Sequence, residues 1–249
     1  MVNARWYVDF FDEDYLTIYG QSLTSERTEW ETDHVVELLG LAPGSSVLDL
    51  CCGHGRHSIA LARRGYEVTG YDLSQAFLER AEADAATAGV PVRWIEGDMR
   101  RVPFKEAFDA VINMFSAFGY LETKSEDQKV LDQVRDALKP GGLLLLDTIN
   151  QAWLVRHFES RNWHAGMNDI MVLEERELNL VTGRNEVTVT MIHPDGRRRE
   201  RHHAMRIYTA AELVSMVTEA GLAVEATYGG LSGEALTLES NRVVILARK

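Results

Sequence analysis

Cysteine is scarce in this chain: there are 2 in 249 residues, and they are adjacent at Cys51 and Cys52. Neighbouring cysteines do not build a disulfide framework, which favours a reducing compartment and a cytoplasmic location. Long apolar runs are also missing, because a run such as Leu143 to Leu146 is far too short to cross a bilayer. The first residues lack the basic start and apolar stretch of a signal peptide. We therefore expect no membrane partner.

Positive charge is the second shortage. Lysine and arginine total 26 against 38 aspartates and glutamates, which gives a net charge of −12. Nucleic-acid binding depends mainly on basic side chains that meet phosphates, so we expect no nucleic-acid partner. The one basic run, Arg197 to Arg199 with Arg201, follows the turn signal Pro194 to Gly196. A solvated hairpin end is the favoured interpretation of this run, and a phosphate-binding patch is the alternative.

Alternating strand and helix patterns occupy the middle of the chain. Strands are predicted at residues 47–50, 67–71, 92–95, 108–114 and 143–148, and helices at residues 56–64, 75–88 and 126–138. A helix at 210–220 and strands at 223–228 and 242–247 end the chain. Helix-length connections imply parallel strands joined by right-handed crossovers. The predicted fold class is therefore α/β, with a doubly wound sheet.

Two other regions flank or interrupt this alternation. The first forty residues predict helices, including one at 26–39, with an aromatic stripe. The stripe consists of Trp6, Tyr7, Phe10, Phe11, Tyr15 and Tyr19. Residues 170–180, 186–193 and 198–208 predict an antiparallel meander, because only short turns separate them. We expect this meander to be an insertion that lies over the edge of the sheet.

Three acidic positions mark three successive strand ends. Asp49 opens a loop that contains Gly53 and Gly55, and glycines allow the backbone to approach a ligand closely. Asp72 ends the second strand, where a carboxylate can accept both ribose hydroxyls of an adenosine. Asp98 follows the third strand, where it can read the adenine amino group. Helix capping by Asp72 and an exposed loop at Asp98 are the structural alternatives, which the three signals in order outweigh.

These segments resemble the class I S-adenosylmethionine-dependent methyltransferases. The resemblance is carried by Val47 to Arg56, Val68 to Ser74, Glu96 to Arg100 and Leu138 to Gly142. Cys51 departs from the pattern, since the family usually has its first glycine there. The resemblance implies a seven-stranded, mostly parallel sheet with a reversed last strand. It also implies S-adenosyl-L-methionine as cofactor and S-adenosyl-L-homocysteine as product.

A narrower resemblance is carried by Gly97 to Arg100, Phe108 to Val111 and Met114 to Leu121. These segments are similar to the small-molecule subgroup, which includes amino-sugar N,N-dimethyltransferases and glycine N-methyltransferases. The resemblance implies an EC 2.1.1 enzyme that transfers a methyl group in line to the nitrogen or oxygen of a small-molecule acceptor. We expect a helical cap at residues 1–42, a Rossmann-like cofactor-binding domain at 43–150 and 208–249, and an antiparallel β insertion at 151–207.

Site residues follow from the motifs and the resemblance together. The predicted cofactor-binding residues are Asp49, Cys51, Gly53, Gly55, His57, Asp72, Leu73, Asp98, Met99, Met114 and Tyr19. The predicted catalytic residues are Tyr19, Tyr15 and His202, and the predicted substrate contacts are Ser116, Tyr120, Asn150, His203 and Arg206. Tyrosine rings favour a sulfonium cation, and a histidine can take a proton at neutral pH. Aromatic core packing and surface exposure are the structural alternatives for these tyrosines and histidines.

Several other activities are excluded or left open by particular residues. Asn113 to Ser116 differs from the Asn/Asp-Pro-Pro-Tyr/Phe motif of exocyclic-amine methyltransferases, and no Pro-Cys nucleophile is present. We predict no metal, although Asp147 with Asn150 leaves a Mg²⁺-dependent O-methyltransferase as an alternative. A catalytically silent cofactor-binding module and a nucleotide-dependent oxidoreductase are further alternatives. We expect a monomer, or a homodimer formed through the β insertion, since its strand edges must be covered.

Overall fold

The computed structural model describes residues 5–249, so the first positions of the predicted N-terminal cap, residues 1–4, lie outside the described residues. The described part begins with the helices α1 (Tyr7–Phe10), α2 (Glu13–Tyr19) and α3 (Ser25–Leu39). Thr24 caps α3 by accepting a hydrogen bond from the Arg27 backbone N–H, and α3 ends at Gly40 in the left-handed conformation. Helices thus form where the sequence predicts them.

The remaining elements confirm the predicted alternation of strands and helices. In chain order they are β1 (Ser46–Leu50), α4 (Arg56–Arg63), β2 (Glu67–Asp72), α5 (Gln75–Ala88), β3 (Arg93–Glu96), β4 (Phe108–Asn113), α6 (Lys124–Ala137), β5 (Leu138–Ile149), α7 (Gln151–Arg156), β6 (Arg161–Ala165), β7 (Met171–Asn179), β8 (Arg184–Ile192), β9 (Arg198–Arg206), α8 (Ala210–Glu219), β10 (Ala223–Tyr228) and β11 (Arg242–Arg248). Helix α7 and strand β6 were not predicted, because α7 is short and β6 is largely exposed and polar. Within residues 5–249 no helix is both long and apolar enough to cross a membrane.

The main sheet has seven strands in the order β10-β11-β5-β4-β1-β2-β3. Strands β1 to β5 are parallel, and β11 is antiparallel to both β5 and β10. This arrangement confirms the doubly wound, mostly parallel sheet with a reversed last strand. The chain builds outward from β1 through β2 to β3 and then returns to add β4 beside β1. Ligands of such sheets bind beyond the carboxyl ends of the strands at this reversal.

Apolar residues cover both faces of the main sheet. Leu48 packs in one cluster with Leu131 of α6 and Leu213 of α8. Val47, its neighbour on the opposite face, packs with Val35 of α3. Because both faces are covered, neighbouring residues of the strand such as Val47 and Leu48 are both apolar, which explains why its sequence signal is strong.

The segment Lys139 to Gly142, predicted as a turn, lies within β5 instead. Gly141 has a φ of 80°, and the pairing of β5 with β4 shifts its register between Phe108 and Ala110. The Gly141 N–H still donates to the Lys249 carbonyl oxygen at 2.9 Å. The glycines therefore make a bulged start to the strand, which a turn signal resembles in sequence.

A second, antiparallel sheet has the order β6-β7-β8-β9. Its buried face, which includes Val172 and Val189, packs on Ile18 of α2. The Arg206 backbone N–H at the end of β9 also donates to the carbonyl oxygen of Gly119, after β4, at 2.7 Å. The small sheet therefore sits against the N-terminal helices and the loop after β4, whereas β3 and β10 form the edges of the main sheet.

Part of the basic run on β9 joins the small sheet to α2. Arg199 Nη1 donates to Asp14 Oδ1 at 3.0 Å, and Arg201 Nε donates to Asp14 Oδ2 at 2.8 Å. Arg197, in contrast, pairs with Asp195 of its own turn. The interpretation as a solvated hairpin end therefore applies to Arg197, whereas Arg199 and Arg201 hold helix α2 against the small sheet.

Gly70 in β2 provides a direct test of packing beneath the candidate site. A Cβ atom at this position would lie 2.4 Å from Cε3 and Cζ3 of the Trp94 ring. We expect Gly70→Ala to lower the free energy of unfolding by about 1–3 kcal/mol, because the ring or the strand must shift. Urea unfolding of the purified chain measures this.

The matched control for Gly70→Ala removes the ring that the new methyl group meets. In the background Trp94→Leu, adding Gly70→Ala should cost much less than it costs alone, since the two residues are in contact. Equal costs in both backgrounds would show that the strain lies elsewhere.

Candidate active site

A pocket opens at the carboxyl ends of β1 to β4, beside the reversal in strand order. It brings together most of the residues predicted for the cofactor and two of those predicted for the methyl and acceptor side. The predicted residues that line it are Tyr15, Asp49, Cys51, Gly53, His57, Asp72, Leu73, Asp98, Met99, Met114 and Tyr120. Helices α1 and α2 supply further aromatic walls.

The loop after β1 has the backbone conformation that its glycines predict. Gly53 has a φ of 56°, and its N–H donates to Asp72 Oδ2 at 2.8 Å. Cys51 has a φ of 62°, which is unusual for a residue with a side chain, and its N–H donates to the Tyr71 carbonyl oxygen at 2.7 Å. The departure from the family's glycine at Cys51 is therefore accommodated by a small side chain in the left-handed region.

Asp72 ends β2 with its carboxylate turned toward the loop. Oδ2 accepts from Gly53, and Oδ1 accepts from the Ser74 backbone N–H at 2.9 Å. Burial raises the pKa of Asp72 above its ordinary value. A carboxylate has roughly four lone-pair sites, so positions remain for a ligand hydroxyl beside these bonds. The capping contact and the ribose-binding hypothesis are thus compatible.

Asp98 lies after β3 and is held by its own neighbour. Oδ1 accepts from the Arg100 backbone N–H and from Arg100 Nε, both at 2.9 Å. The hydrogen bonds from Arg100 hold the pKa of Asp98 below its ordinary value. Met99 beside it is 8% exposed and contributes an apolar surface, with its Sδ 3.5 Å from Cys51 Sγ.

A charged cluster adjoins the start of α4. His57 Nε2 lies 2.9 Å from Glu31 Oε2, and Arg56 pairs with the same carboxylate. The hydrogen bond from His57 and the charge of Arg56 hold the pKa of Glu31 well below its ordinary value despite burial. Asp49, 1% exposed, accepts from Ser58 Oγ at 2.6 Å.

Arg56 and Phe115 are pocket residues that the sequence reasoning missed. Arg56 Nη2 is buried and has no hydrogen-bond partner in residues 5–249. The guanidinium carbons of Arg27, Arg56 and Arg242 lie 5.0, 5.4 and 5.9 Å from the centre of the Phe115 ring. An arginine in the first turn of a helix was an available signal, since the helix dipole disfavours cations there.

The aromatic stripe of the N-terminal helices forms one wall of the pocket. Tyr15 lies 5.3 Å from Phe11 and 5.8 Å from Phe77 between ring centres, and Tyr120 lies 5.5 Å from Phe11. Burial raises the pKa of Tyr15 to about 12 and that of Tyr120 well above its ordinary value. Both hydroxyls therefore keep their protons at neutral pH.

Two predicted cofactor residues lie outside the lining. Tyr19 turns away from the pocket, and its hydroxyl donates to Glu174 Oε1 of β7 at 3.1 Å. Gly55 serves packing, because a Cβ atom there would lie 2.5 Å from Cη2 of Trp94. Their cofactor roles stay predictions.

The predicted acceptor-side residues other than Tyr120 also lie outside the lining. Ser116 Oγ accepts from Arg242 Nη1 at 3.0 Å, and Asn150 Nδ2 donates to the Ser240 carbonyl oxygen at 2.8 Å. Arg206 Nη2 donates to the Glu122 carbonyl oxygen at 3.2 Å. These contacts fix loops and strand ends, so the structure does not bring these side chains together with Asp72 and Tyr15.

The two histidines of β9 point in different directions. His202 is exposed, with Nδ1 3.0 Å from Thr188 Oγ1. His203 lies against the N-terminal helices, with ring centres 4.8 Å from Phe10 and 5.7 Å from Trp6. Neither lines the pocket, and a catalytic role for His202 stays a prediction.

The residues considered for a magnesium site have other partners. Arg242 Nε donates to Asp147 Oδ1 at 2.8 Å, and Asn150 caps α7. In the part of the chain that the structure describes, no group of three or more histidine, cysteine, aspartate or glutamate side chains could hold a metal ion.

Because of His203, we expect the free energy of unfolding to depend on pH. Burial lowers the pKa of His203 to about 4, below the unfolded value near 6.5, so the unfolded chain binds more protons between these pH values. The free energy of unfolding should therefore fall as the pH drops from 6.5 to 4, and His203→Phe should remove about 1–3 kcal/mol of that fall. Thermal unfolding at several pH values measures it, with the exposed His202→Phe as control. An equal effect of both variants would contradict the prediction.

Comparison with known proteins shows the family to which this chain belongs. A family model described as a methyltransferase domain matches residues 47–142. The dTDP-3-amino-3,4,6-trideoxy-alpha-D-glucopyranose N,N-dimethyltransferase of Streptomyces venezuelae is 30% identical over 203 residues, which cover 77% of this chain and 81% of that protein. The chain belongs to the class I S-adenosylmethionine-dependent methyltransferases and is of the small-molecule type.

Solved structures share the fold of this methyltransferase. An S-adenosylmethionine-dependent methyltransferase from Clostridium acetobutylicum has a TM-score of 0.80 at 17% identity, covering 95% of this chain and 96% of that one. An amino pentose methyltransferase from Micromonospora echinaspora, solved with S-adenosylmethionine bound, has a TM-score of 0.67 at 22% identity, covering 90% and 91%. The comparisons favour a methyltransferase over the alternative of a nucleotide-dependent oxidoreductase.

S-adenosyl-L-methionine is the cofactor of the methyltransferase, and the pocket residues fit it. Asp72 has lone pairs for hydroxyl donors. The backbone at Gly53 leaves room, because a Cβ there would meet nothing closer than Phe77 Cδ2 at 3.8 Å. The unpartnered Arg56 Nη2 suits an anionic group. When bound, the cofactor supplies an activated methyl group on a sulfonium.

Proposed function

We propose that this methyltransferase acts on the nitrogen of a small amine. The observation that carries the proposal is that no side chain of the described pocket lining is a free base. The carboxylates of Asp49, Asp72 and Asp98 and the imidazole of His57 are held in hydrogen bonds. Tyr15 and Tyr120 keep their protons, and burial lowers the pKa of His54 to about 4, which makes it a weak base. A hydroxyl acceptor starts protonated and needs a base, whereas a neutral amine already has a free lone pair.

The aromatic wall supports the same choice of acceptor. The rings of Tyr7, Phe11, Tyr15 and Tyr120 line the pocket. The faces of such rings offer no hydrogen-bond donor that would occupy the lone pair of a neutral amine, so the nitrogen stays free to attack the methyl group. The similar protein from Streptomyces venezuelae is an N,N-dimethyltransferase, which supports a nitrogen acceptor here.

Each pocket region has a role in this proposal. Asp72 accepts the ribose hydroxyls, Asp98 with Met99 contacts the adenine, and Tyr15 faces the methyl end. The residues mainly orient nucleophile and methyl group in line, which can supply on the order of 7–11 kcal/mol of the barrier. Closely packed rings also exclude water from the reacting atoms.

Matched acceptor pairs test the proposal. The full chain is incubated with S-adenosylmethionine and pairs of small molecules that differ only in an amine against a hydroxyl, and S-adenosylhomocysteine is quantified. We expect turnover with amines alone, rising with pH as the amine loses its proton. Turnover with the hydroxyl partners instead would assign an oxygen acceptor. Binding of S-adenosylhomocysteine with no turnover of either class would favour the silent cofactor-binding module.

A further inference from the structure

Residues 117–123, the second part of the loop between β4 and α6, carry part of the pocket wall. Tyr120 and Leu121 of this loop line the pocket. Two hydrogen bonds join the small sheet to this loop. The Arg206 backbone N–H donates to the Gly119 carbonyl oxygen at 2.7 Å, and Arg184 Nη1 donates to the Leu121 carbonyl oxygen at 2.9 Å. The position of the wall therefore depends on the small sheet.

Asp127, a buried residue, also makes a hydrogen bond to this loop. It lies in the first turn of α6 and is 0% exposed. Its Oδ1 accepts from the Leu121 backbone N–H at 3.4 Å, and its Oδ2 accepts from the Tyr208 hydroxyl at 2.7 Å. Tyr208, 4% exposed, lies between β9 and α8. One carboxylate thus links the pocket wall to the segment that leaves the small sheet.

Stability does not explain a carboxylate at this position. Burial raises the pKa of Asp127 to about 6, although the Tyr208 hydroxyl and the charges of Arg206 and Arg184 act to lower it. From α8, Glu212 acts on the pKa of Tyr208. A carboxyl whose folded pKa exceeds its unfolded value near 4 destabilises the fold increasingly as pH rises from about 4 to about 6. At neutral pH the charge of Asp127 therefore costs stability.

We propose that Asp127 is a positioning residue of the methyl-transfer pocket, which acts through Leu121 and Tyr208 to hold the loop that carries Tyr120. The inference rests on this pocket being the methyl-transfer site, and it holds for a nitrogen or an oxygen acceptor. It needs no contact between Asp127 and either reactant.

Asp127→Asn separates positioning from general stability. Whichever way the amide turns, either the Leu121 N–H or the Tyr208 O–H loses its acceptor. We expect amide hydrogen exchange in residues 117–123 to become about tenfold faster at pH 7, and the affinity for S-adenosylhomocysteine to fall roughly three- to tenfold. The melting temperature at pH 7 should change by no more than about 4 °C, because the variant also removes a buried charge.

A second substitution should rescue the loop. In Asp127→Asn with Tyr208→Phe the amide oxygen is free to accept from the Leu121 N–H, so exchange in residues 117–123 should return to within about twofold of the parent rate. Asp136→Asn, near the other end of the same helix, is the matched control. Its side chain is half exposed and pairs with Arg135, so the variant should leave exchange unchanged.

Two results would overturn the proposal. One is unchanged exchange in residues 117–123 of Asp127→Asn. The other is faster exchange throughout the chain with a large loss of melting temperature, which would assign Asp127 a purely structural role. Because exchange, melting temperature and affinity for S-adenosylhomocysteine are all measured without an acceptor, they are independent of which acceptor the enzyme methylates.

Discussion

We expect Asp72→Ala to lower the affinity for S-adenosylhomocysteine by about 100-fold, as measured by calorimetric titration. Hydrogen bonds to a charged acceptor contribute about 1.5–3 kcal/mol each, and the two ribose hydroxyls lose theirs together. A total near 3 kcal/mol corresponds to roughly a hundredfold change in the dissociation constant. The raised pKa of Asp72 agrees with a carboxylate that gains favourable partners when a ligand binds.

Two further variants are needed to interpret the affinity of Asp72→Ala. Asp72→Asn keeps the shape and one acceptor oxygen, so its loss should be smaller than that of alanine. Asp84→Ala removes an exposed carboxylate of α5, paired with Arg80, and should not change the affinity. Melting curves without ligand show whether the loop held by Asp72 stays folded. Unchanged affinity in a folded Asp72→Ala would remove Asp72 from the ribose site.

Arg242→Met should lower the free energy of unfolding by about 3–5 kcal/mol, because it leaves the Asp147 carboxylate buried without its cation. Asp147 is 4% exposed, and Arg242 Nη2 donates to its Oδ2 at 2.6 Å. The same oxygen accepts from the Phe115 backbone N–H at 3.0 Å, at a residue whose φ is 58°. The variant should therefore also loosen Phe115 in the pocket wall.

Denaturant unfolding of three variants checks this reasoning. Arg248→Met, on the same strand, breaks an exposed pair with Glu225 and should cost less than about 1 kcal/mol. Arg242→Met with Asp147→Asn removes the stranded charge, so much of the stability should return. If Arg242→Met costs no more than Arg248→Met, the buried pair does not stabilise the fold.

The strand ends were predictable because their signals are local. Asp49, Asp72 and Asp98 each follow a short apolar run, and the carboxyl ends of parallel strands meet at one edge. Glycines beside Asp49 then fix the loop conformation without reference to distant residues. The sheet and the cofactor half of the pocket depend on patterns of this kind.

The parts of the structure that could not be predicted depend on contacts between segments far apart in the chain. The aromatic stripe predicted a buried helix face, but whether Tyr15 or Tyr19 faces the pocket is decided by Glu174, which accepts the Tyr19 hydroxyl. Arg56 is oriented by Glu31 on another helix. Such pairings between distant residues produce no periodic pattern that a single sequence could reveal. Strand β6 is polar, so it lacks the apolar alternation by which strands are recognised.

The joining of α2 to the small sheet has a consequence for the order of folding. The Tyr19 hydroxyl and Glu174 are 155 positions apart, and Asp14 and Arg201 are 187 positions apart. Contacts over such separations form slowly, and during synthesis the N-terminal part emerges first. The aromatic stripe therefore spends much of translation without its final partners, exposed to chaperones and to other nascent chains. Completion of the pocket coincides with the burial of that stripe.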